Sequence, residues 1–465
     1  MKFSIGDKIE LHAEKIVHGG TALAHRDGSS FFIYGALPGE DIIVRIIKRR
    51  KGVWHCEVIE VKELSPLRIE AECPHFGSCG GCTWQHMDYK TQIEFKRDIF
   101  DESLTRLGGF ENVILENIVQ SPLAWEYRNK MEFAFGKDEN GVFLGLHRRG
   151  RFDVLLPVAK DCLLVPEDVR NVCAAVEEMS QGEAPYEPIS GKGYIRFLTI
   201  RRSFANENML LGITVTQQIN PEIFAFWFEE LSRKFPGKIV GGYLTVNPGG
   251  SSSSGDVVHL FGEQELEEYI GEKKFTLSPT SFFQTNPVGA KQLYDTAKEY
   301  AALSGKEILW DLYCGTGTIG LYLSDSAREV VGIEENSEAV DDARRNTATN
   351  GVENAHYICG DVRKILYRFK NETRPNPDVI IIDPPRAGMA KKAVQRITAF
   401  KPKRIVYISC NPATLARDAA MICENGYNLA VARPVDMFPQ TYHVETLAIL
   451  KRRSRRKGRR RVRDG

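Results

Sequence analysis

The chain has 465 residues, more than one ordinary domain holds, so two to four domains are expected. It is 42% hydrophobic and 26% charged, and no apolar run approaches a membrane span, a profile that argues against a membrane protein. The net charge of +1 hides an asymmetry: residues 451–465 (KRRSRRKGRRRVRDG) carry ten Lys or Arg and one Asp, a local +9 that leaves −8 for the rest.

The first residues, Met1 to Asp7, contain no apolar core of a secretory signal, so a cytoplasmic location is expected. Residues 1–66 then read as a small β-barrel. Short stretches (Lys8 to Leu11, Asp41 to Ile47, Trp54 to Val61) are separated by the turn signals His18-Gly19-Gly20, Asp27-Gly28 and Pro38-Gly39. Five such strands fit an OB-like barrel, a common nucleic-acid platform. The run Lys48-Arg49-Arg50-Lys51 is a solvated loop or a phosphate contact.

Ten cysteines in a reducing compartment do not make a disulfide framework. Cys73, Cys79 and Cys82 are spaced x5 and x2 among Gly77, Gly80 and Gly81, and Cys162 is a candidate fourth ligand. Structural zinc usually takes two CxxC knuckles, whereas this pattern suits a [4Fe–4S] cluster; zinc is the alternative. The x5 spacing and a fourth thiolate differ from the Cys-x3-Cys-x2-Cys of radical enzymes, so a structural or RNA-positioning cluster is expected. Cys56, Cys173, Cys314, Cys359 and Cys423 are expected to be packing residues.

Residues 90–107 carry helical spacing in Ile93, Ile99, Phe100, Leu104 and Leu107. Residues 125–280 read as mixed α+β, strand-rich structure, with alternation in Tyr194 to Ile200 and Leu210 to Thr216 and a flexible loop at Gly249 to Gly255. From about residue 287 strands and helices alternate: Ile308 to Leu312, Glu329 to Ile333, Ala355 to Ile358, Val379 to Ile382, Arg404 to Ile408 and Thr446 to Leu450 are short apolar strands. That rhythm marks an α/β, doubly wound, Rossmann-like domain at the C-terminal end.

The strand 308–312 runs into Gly315-Thr316-Gly317-Thr318-Ile319-Gly320, a GxGxxG loop that lets backbone approach a ligand. Alone it would equally suit NAD. Glu334, Asp361 and Asp383 follow at the ends of the next strands, and repeated acids favour the cationic sulfonium of S-adenosylmethionine over an anionic pyrophosphate. Asp383-Pro384-Pro385-Arg386 resembles the motif of enzymes that methylate exocyclic amines, but Arg386 replaces the stacking aromatic expected there.

Cys410 sits where strand 404–408 hands over to a helix, with Asn411 as a good N-cap and Pro412 suited to the first helical position. The helix dipole there favours a thiolate, and the strand-end rim is shared with Asp383. A thiolate that adds to C6 of a pyrimidine makes C5 nucleophilic, and a base must then remove the C5 proton. Cys410 is the expected nucleophile and Glu445 the expected base, with His443 a weaker candidate.

Together, SFFQTN, DLYCGTGTIGL, DPPRAG, SCNPATLARD and DMFPQTYHVETLAIL resemble the RNA 5-methyluridine methyltransferase family over nearly the whole chain. The resemblance implies nucleophile and base roles for Cys410 and Glu445. It implies cofactor contacts at Gln284, Tyr313, Thr318, Glu334, Asp361 and Asp383, although Thr318 stands where close relatives carry Asn. Phe282 matches a family aromatic near the target base, where stacking would hold a flipped uracil. The iron–sulfur branch, which carries a TRAM barrel, implies that Cys73, Cys79, Cys82 and Cys162 hold the cluster. It acts chiefly on 23S ribosomal RNA, and some members methylate transfer RNA. The resulting division is a TRAM barrel (1–66), a central iron–sulfur domain (67–89 and 124–280), a methyltransferase domain (90–123 and 281–450) and a basic tail (451–465) that binds RNA. A monomer is expected. The rival is a non-catalytic RNA-binding assembly factor, which would need neither Cys410 nor Glu445.

Overall fold

The computed structural model describes residues 3–249, 255–372 and 375–453. Most of the basic tail, 454–465, and most of the Ser-rich loop, 250–254, lie outside the described residues.

The N-terminal residues form six strands rather than five. The hydrogen-bonded order is Lys8–His12, Asp41–Arg50, Val53–Glu63, Ser29–Tyr34, Thr21–Arg26 and Lys15–Val17. Alternation in Asp41–Arg50 sends Ile42, Val44 and Ile46 into the core and leaves Arg45 exposed. Asp27 and Gly28, with φ of 49° and 73°, make the tight hairpin between Thr21–Arg26 and Ser29–Tyr34. Among the described residues the two edge strands do not pair, so the sheet is not the closed barrel the turn spacing suggests. The strand that would close it, Lys15–Val17, is only three residues long and pairs with Thr21, Ala22 and Leu23. Trp84 and Met87 cover the inner face, and the Trp84 indole donates to the Gly20 carbonyl at 3.1 Å.

A seven-stranded sheet follows in the order Leu155–Leu156, Gly141–His147, Lys130–Asp138, Ile195–Arg202, Met209–Val215, Ile239–Val246 and Asp256–Gly262. It is antiparallel except where Met209–Val215 and Ile239–Val246 run parallel, joined through the crossover helix Glu222–Lys234. A separate hairpin, Leu266–Ile270 with Lys273–Leu277, leads out of it.

The last sheet has eight strands: Ala355–Cys359, Glu329–Glu334, Ile308–Leu312, Val379–Ile382, Arg404–Ser409, Glu445–Arg452, Tyr427–Val435 and Ile114–Leu115. The first five are parallel and Glu445–Arg452 is antiparallel to both its neighbours. Side-chain alternation explains its two-sided core. Leu309, Val330, Val379, Ile381 and Val406 pack against helices Pro287–Ala301, Thr318–Leu323 and Ser337–Thr349. Ile308, Trp310, Val331, Ile380 and Ile405 pack against Val362–Lys370, Lys391–Ala399 and Pro412–Glu424. Strand order reverses between Ile308–Leu312 and Val379–Ile382, which opens a crevice at their C-terminal ends.

The helix expected over 90–107 is α-helical at Tyr89–Glu102, capped by Asp88, and widens to a π-helical turn at Ser103–Leu107 before Gly108-Gly109. Its Phe100 and Leu104 join the second core of the last sheet. Its Lys96 and Asp436 form an ion pair at 2.6 Å with both side chains fully buried. Tyr89 also donates to Asp436, and Gln92 exchanges hydrogen bonds with Gln440. The helix thus braces residues 436–440, just before the final strand.

The final strand runs two residues past the expected end, so Lys451 and Arg452 belong to the sheet and not to the tail. Cys56, Cys173 and Cys314 are buried, as expected of packing residues, and Cys423 is half-buried. Cys359 is exposed instead: it is the last residue of its strand, and its thiol donates to the Glu335 carbonyl at 3.6 Å. Among the described residues no helix is long and apolar enough to cross a membrane.

Candidate active site

The C-terminal ends of the parallel strands surround a cavity of about 730 Å³. Tyr313 leaves strand Ile308–Leu312 with φ 63°, a left-handed conformation unusual for a non-glycine residue. Gly317 caps the next helix at φ 73°, and a Cβ there would meet the Tyr357 ring at 2.7 Å, so glycine is needed twice over. The Glu334 carboxylate accepts from the Gly315, Glu335 and Asn336 amides at 3.1, 2.8 and 2.9 Å, which fixes it at the cavity wall. Asp361 caps helix Val362–Lys370 and pairs with Arg363 at 2.6 Å; this hydrogen bond holds its carboxyl down at about 2. It therefore presents a permanent negative charge.

Thr318 and Gln284 meet through a residue not expected from the sequence. The Tyr294 hydroxyl lies 2.9 Å from the Thr318 hydroxyl and also bonds the Gln284 side chain. Tyr294 is fully buried, and its helical spacing reads as ordinary core. Phe282, 70% exposed, projects into the same cavity, while its neighbour Phe283 turns inward onto Phe275 at 5.6 Å.

The same cavity is lined by Asp383, Arg386, Cys410, His443 and Glu445. Asn411 caps helix Pro412–Glu424 by accepting from Ala413 N at 3.0 Å, so Cys410 does precede a helix N-terminus. The thiolate expected from that dipole is opposed by the surroundings of Cys410. Burial, and then the carboxylates of Glu445 and Asp383, push the thiol up to about 11, with Arg386 opposing. Glu445 is 8% exposed, and burial followed by Asp383 raises it to about 8. Asp383 is raised to about 7 by burial. His443 is lowered to about 4, first by burial and then by Arg386, so it is neutral at physiological pH. The pocket thus holds three acids whose burial favours their protons, Cys410, Glu445 and Asp383, of which Glu445 and Asp383 lie near neutrality.

The cysteines line a second cavity of about 590 Å³, which contains Cys73, Cys79, Cys82 and Cys162. Burial raises the Cys82 thiol to about 12 and that of Cys162 to about 11, and each feels the charge of other cysteines in the set. Among the described residues no group of three or more His, Cys, Asp or Glu is placed to hold a metal ion, so the metal site expected at these four cysteines is not shown. Arg128, Phe282 and Phe283 line both cavities.

A family model described as tRNA (uracil-5-)-methyltransferase matches residues 261–453. An RNA methyltransferase of Caldanaerobacter subterraneus subsp. tengcongensis is 37% identical over 458 residues, covering 96% of this chain and 99% of the relative. This chain belongs to the RNA (uracil-5-)-methyltransferase family. A second RNA methyltransferase, from Clostridium tetani, is 36% identical over 96% of this chain and 98% of its own. The crystal structure of Pyrococcus abyssi tRNA (uracil-54, C5)-methyltransferase in complex with S-adenosyl-L-homocysteine is 27% identical, with a TM-score of 0.74, covering 95% of this chain and 100% of that one.

The cavity also has lining residues that the sequence did not single out. Arg128 lies at the junction of the two cavities, and its Nε is buried without a partner. No motif flags it, because it follows Tyr127 at the entry to the central sheet, far from the strand-end loops. Asn336 and Phe438 also line the cavity. Asn336 was legible as a helix cap before Ser337, and Phe438 only as part of a family motif.

Proposed function

We propose that this methyltransferase methylates C5 of a uridine in structured RNA through a covalent adduct on Cys410. The observation that carries the reading is the single cavity shared by Phe282, Cys410, Glu445 and the strand-end acids. Gln284, Tyr313, Thr318, Glu334, Asp361 and Asp383 would hold S-adenosylmethionine, which supplies an electrophilic methyl group when bound. Cys410 Sγ adds to C6 of the uracil and the C5=C6 electrons move toward O4, so that C5 becomes nucleophilic. After C5 is methylated, Glu445 takes the C5 proton; the electrons restore C5=C6 and the C6–S bond breaks, which frees the thiolate. Burial raises the Cys410 thiol, so addition to C6 requires the loss of its proton, and Arg386 is the nearby cation that favours the anion. Phe282 stacks on the extruded base.

The target we assign is a uridine of 23S ribosomal RNA. Support comes from the Cys73, Cys79, Cys82 and Cys162 set beside an N-terminal strand module, the arrangement of the branch that acts chiefly on that RNA. In this reading the four thiolates hold a structural [4Fe–4S] cluster, and residues 1–66 serve as a TRAM-type RNA platform. Residues 67–89 with 124–280 are the central domain, and 90–123 with 281–450 are the methyltransferase domain. The enzyme works as a cytoplasmic monomer. A transfer RNA uridine is the second reading, favoured by the similarity to the Pyrococcus abyssi enzyme. Nucleoside mass spectrometry of ribosomal and transfer RNA from a deletion strain tests both. Loss of one 5-methyluridine from 23S RNA supports the first; loss from transfer RNA alone supports the second; no loss from either contradicts uridine methylation.

A further inference from the structure

The loop 278–286 has to do two things at once: bury Phe283 and present Phe282 to the cavity. It is held by groups from four separate parts of the chain, one of them the Thr316 hydroxyl, which donates to the Phe282 carbonyl at 3.4 Å. Asn129 donates from its backbone to the Thr285 carbonyl at 2.9 Å and from its side chain to the Gln284 carbonyl at 3.2 Å. Arg201, on strand Ile195–Arg202, is 2% exposed and donates to the Ser281 carbonyl at 2.6 Å. The Ser281 hydroxyl in turn donates to Asp342, a residue 4% exposed on helix Ser337–Thr349 and ion-paired with Arg345. Ser281 also bonds Ser278 Oγ at 2.7 Å, which closes the turn on itself.

A buried guanidinium is expensive unless its hydrogen bonds do something a neutral side chain cannot. Arg201 spends its charge on a loop carbonyl one residue before Phe282. Carboxylates of Glu132, Asp342 and Glu268 and the Tyr243 phenol face it from the surrounding elements. Asp342, for its part, sits on the helix that follows Glu334, whose first turn lines the cofactor crevice through Asn336 and Ala339.

We propose that Arg201 and Asp342 are positioning residues that clamp Ser281 from two sides and hold Phe282 extended over the target uracil. This rests on the stacking role assigned to Phe282 above. The clamp ties the stacking aromatic to the central sheet on one side and to the cofactor-binding half on the other. A floppy loop would let Phe282 fold onto the rim and leave the extruded base without its platform.

The test is a set of variants assayed for methyl transfer, with ribosomal and transfer RNA from a deletion strain as the acceptor. Binding of S-adenosylhomocysteine by calorimetry serves as the check on folding. Phe282→Ala should lower kcat/KM about tenfold, the scale of removing one base–aromatic stack. Ser281→Ala should lower it by a similar factor, with homocysteine-analogue affinity unchanged. In Ser281→Ala/Phe282→Ala the loss should be no greater than in Phe282→Ala, because a clamp without its aromatic has nothing to position. Arg201→Met should match Ser281→Ala, and Arg201→Lys, which still donates, should recover most of the rate. Ser281→Ala removes the hydroxyl bond to Asp342 and leaves the carbonyl that Arg201 holds, so it tests the Asp342 side; if Arg201→Met does not fold, Arg201→Lys tests the arginine side. Losses that multiply in full in the double variant would overturn the clamp, as would wild-type rates in Ser281→Ala beside an impaired Phe282→Ala. A wild-type rate in Phe282→Ala would overturn the stacking role itself, and the clamp with it.

Discussion

Replacing Glu445 with Gln should stabilise the protein in alkali while it disables the enzyme. The Glu445 carboxyl is 8% exposed and raised from its ordinary 4.5 to about 8, first by burial and then by Asp383. Holding it ionised in the fold therefore costs about 4–5 kcal/mol, at roughly 1.4 kcal/mol for each tenfold change in proton affinity. In the unfolded chain the group ionises near 4.5, whereas in the fold it keeps its proton up to about 8. The stabilising preference for the protonated fold is complete below 4.5 and is lost as pH climbs to 8, after which it is level. Gln has no such preference. The variant's unfolding free energy, minus that of wild type, should rise by about 3–4 kcal/mol between pH 5 and pH 9. Urea titrations of both proteins at the two pH values, followed by tryptophan fluorescence, measure it. An equal stability difference at pH 5 and pH 9 would refute the idea that this carboxyl is stored protonated.

Lys96→Met should destabilise the fold by about 3–5 kcal/mol, since it leaves Asp436 buried without its cation; Asp436→Leu added to it should recover part of the loss in chemical denaturation. Protein purified without oxygen should be brown and carry about four irons per chain, and Cys79→Ser should lose the colour and weaken RNA binding before cofactor binding; colourless protein with one zinc would contradict the cluster. Deleting 454–465 should weaken RNA binding and flatten its salt dependence by about 0.7–0.9 for each phosphate the shortened chain no longer neutralises, and an unchanged slope in filter binding would remove the tail from the interface.

Much of the site was legible because its parts are local. A strand followed by GxGxxG, an acid at the end of the next strand, and Asn411-Pro412 after an apolar run each carry their geometry within a few residues. Long-range effects were hidden. The Cys410 thiol looked activated by its own helix, but the final strand runs antiparallel beside Arg404–Ser409 and brings Glu445 within electrostatic range of it. The open N-terminal sheet depended on Lys15–Val17 being too short to close it. Tyr294, Arg128 and Arg201 read as ordinary helix or strand residues, since what distinguishes them is contact with elements distant in the chain. Strand Tyr427–Val435 was passed over because Arg433 and Pro434 interrupt its apolar pattern, though the last sheet needs it as the partner of Glu445–Arg452.

The most direct test of the central claim is to look for the adduct itself. Glu445→Gln, incubated with S-adenosylmethionine and unmodified RNA, should add Cys410 to C6, methylate C5 and then stall for want of a base. Denaturing electrophoresis should show a protein–RNA band. Peptide mass mapping after nuclease digestion should place a methylated uridine on Cys410, with no band in Cys410→Ala/Glu445→Gln. Normal turnover by Glu445→Gln with no trapped species, or an adduct mapped to any other residue, would contradict the assignment of nucleophile and base.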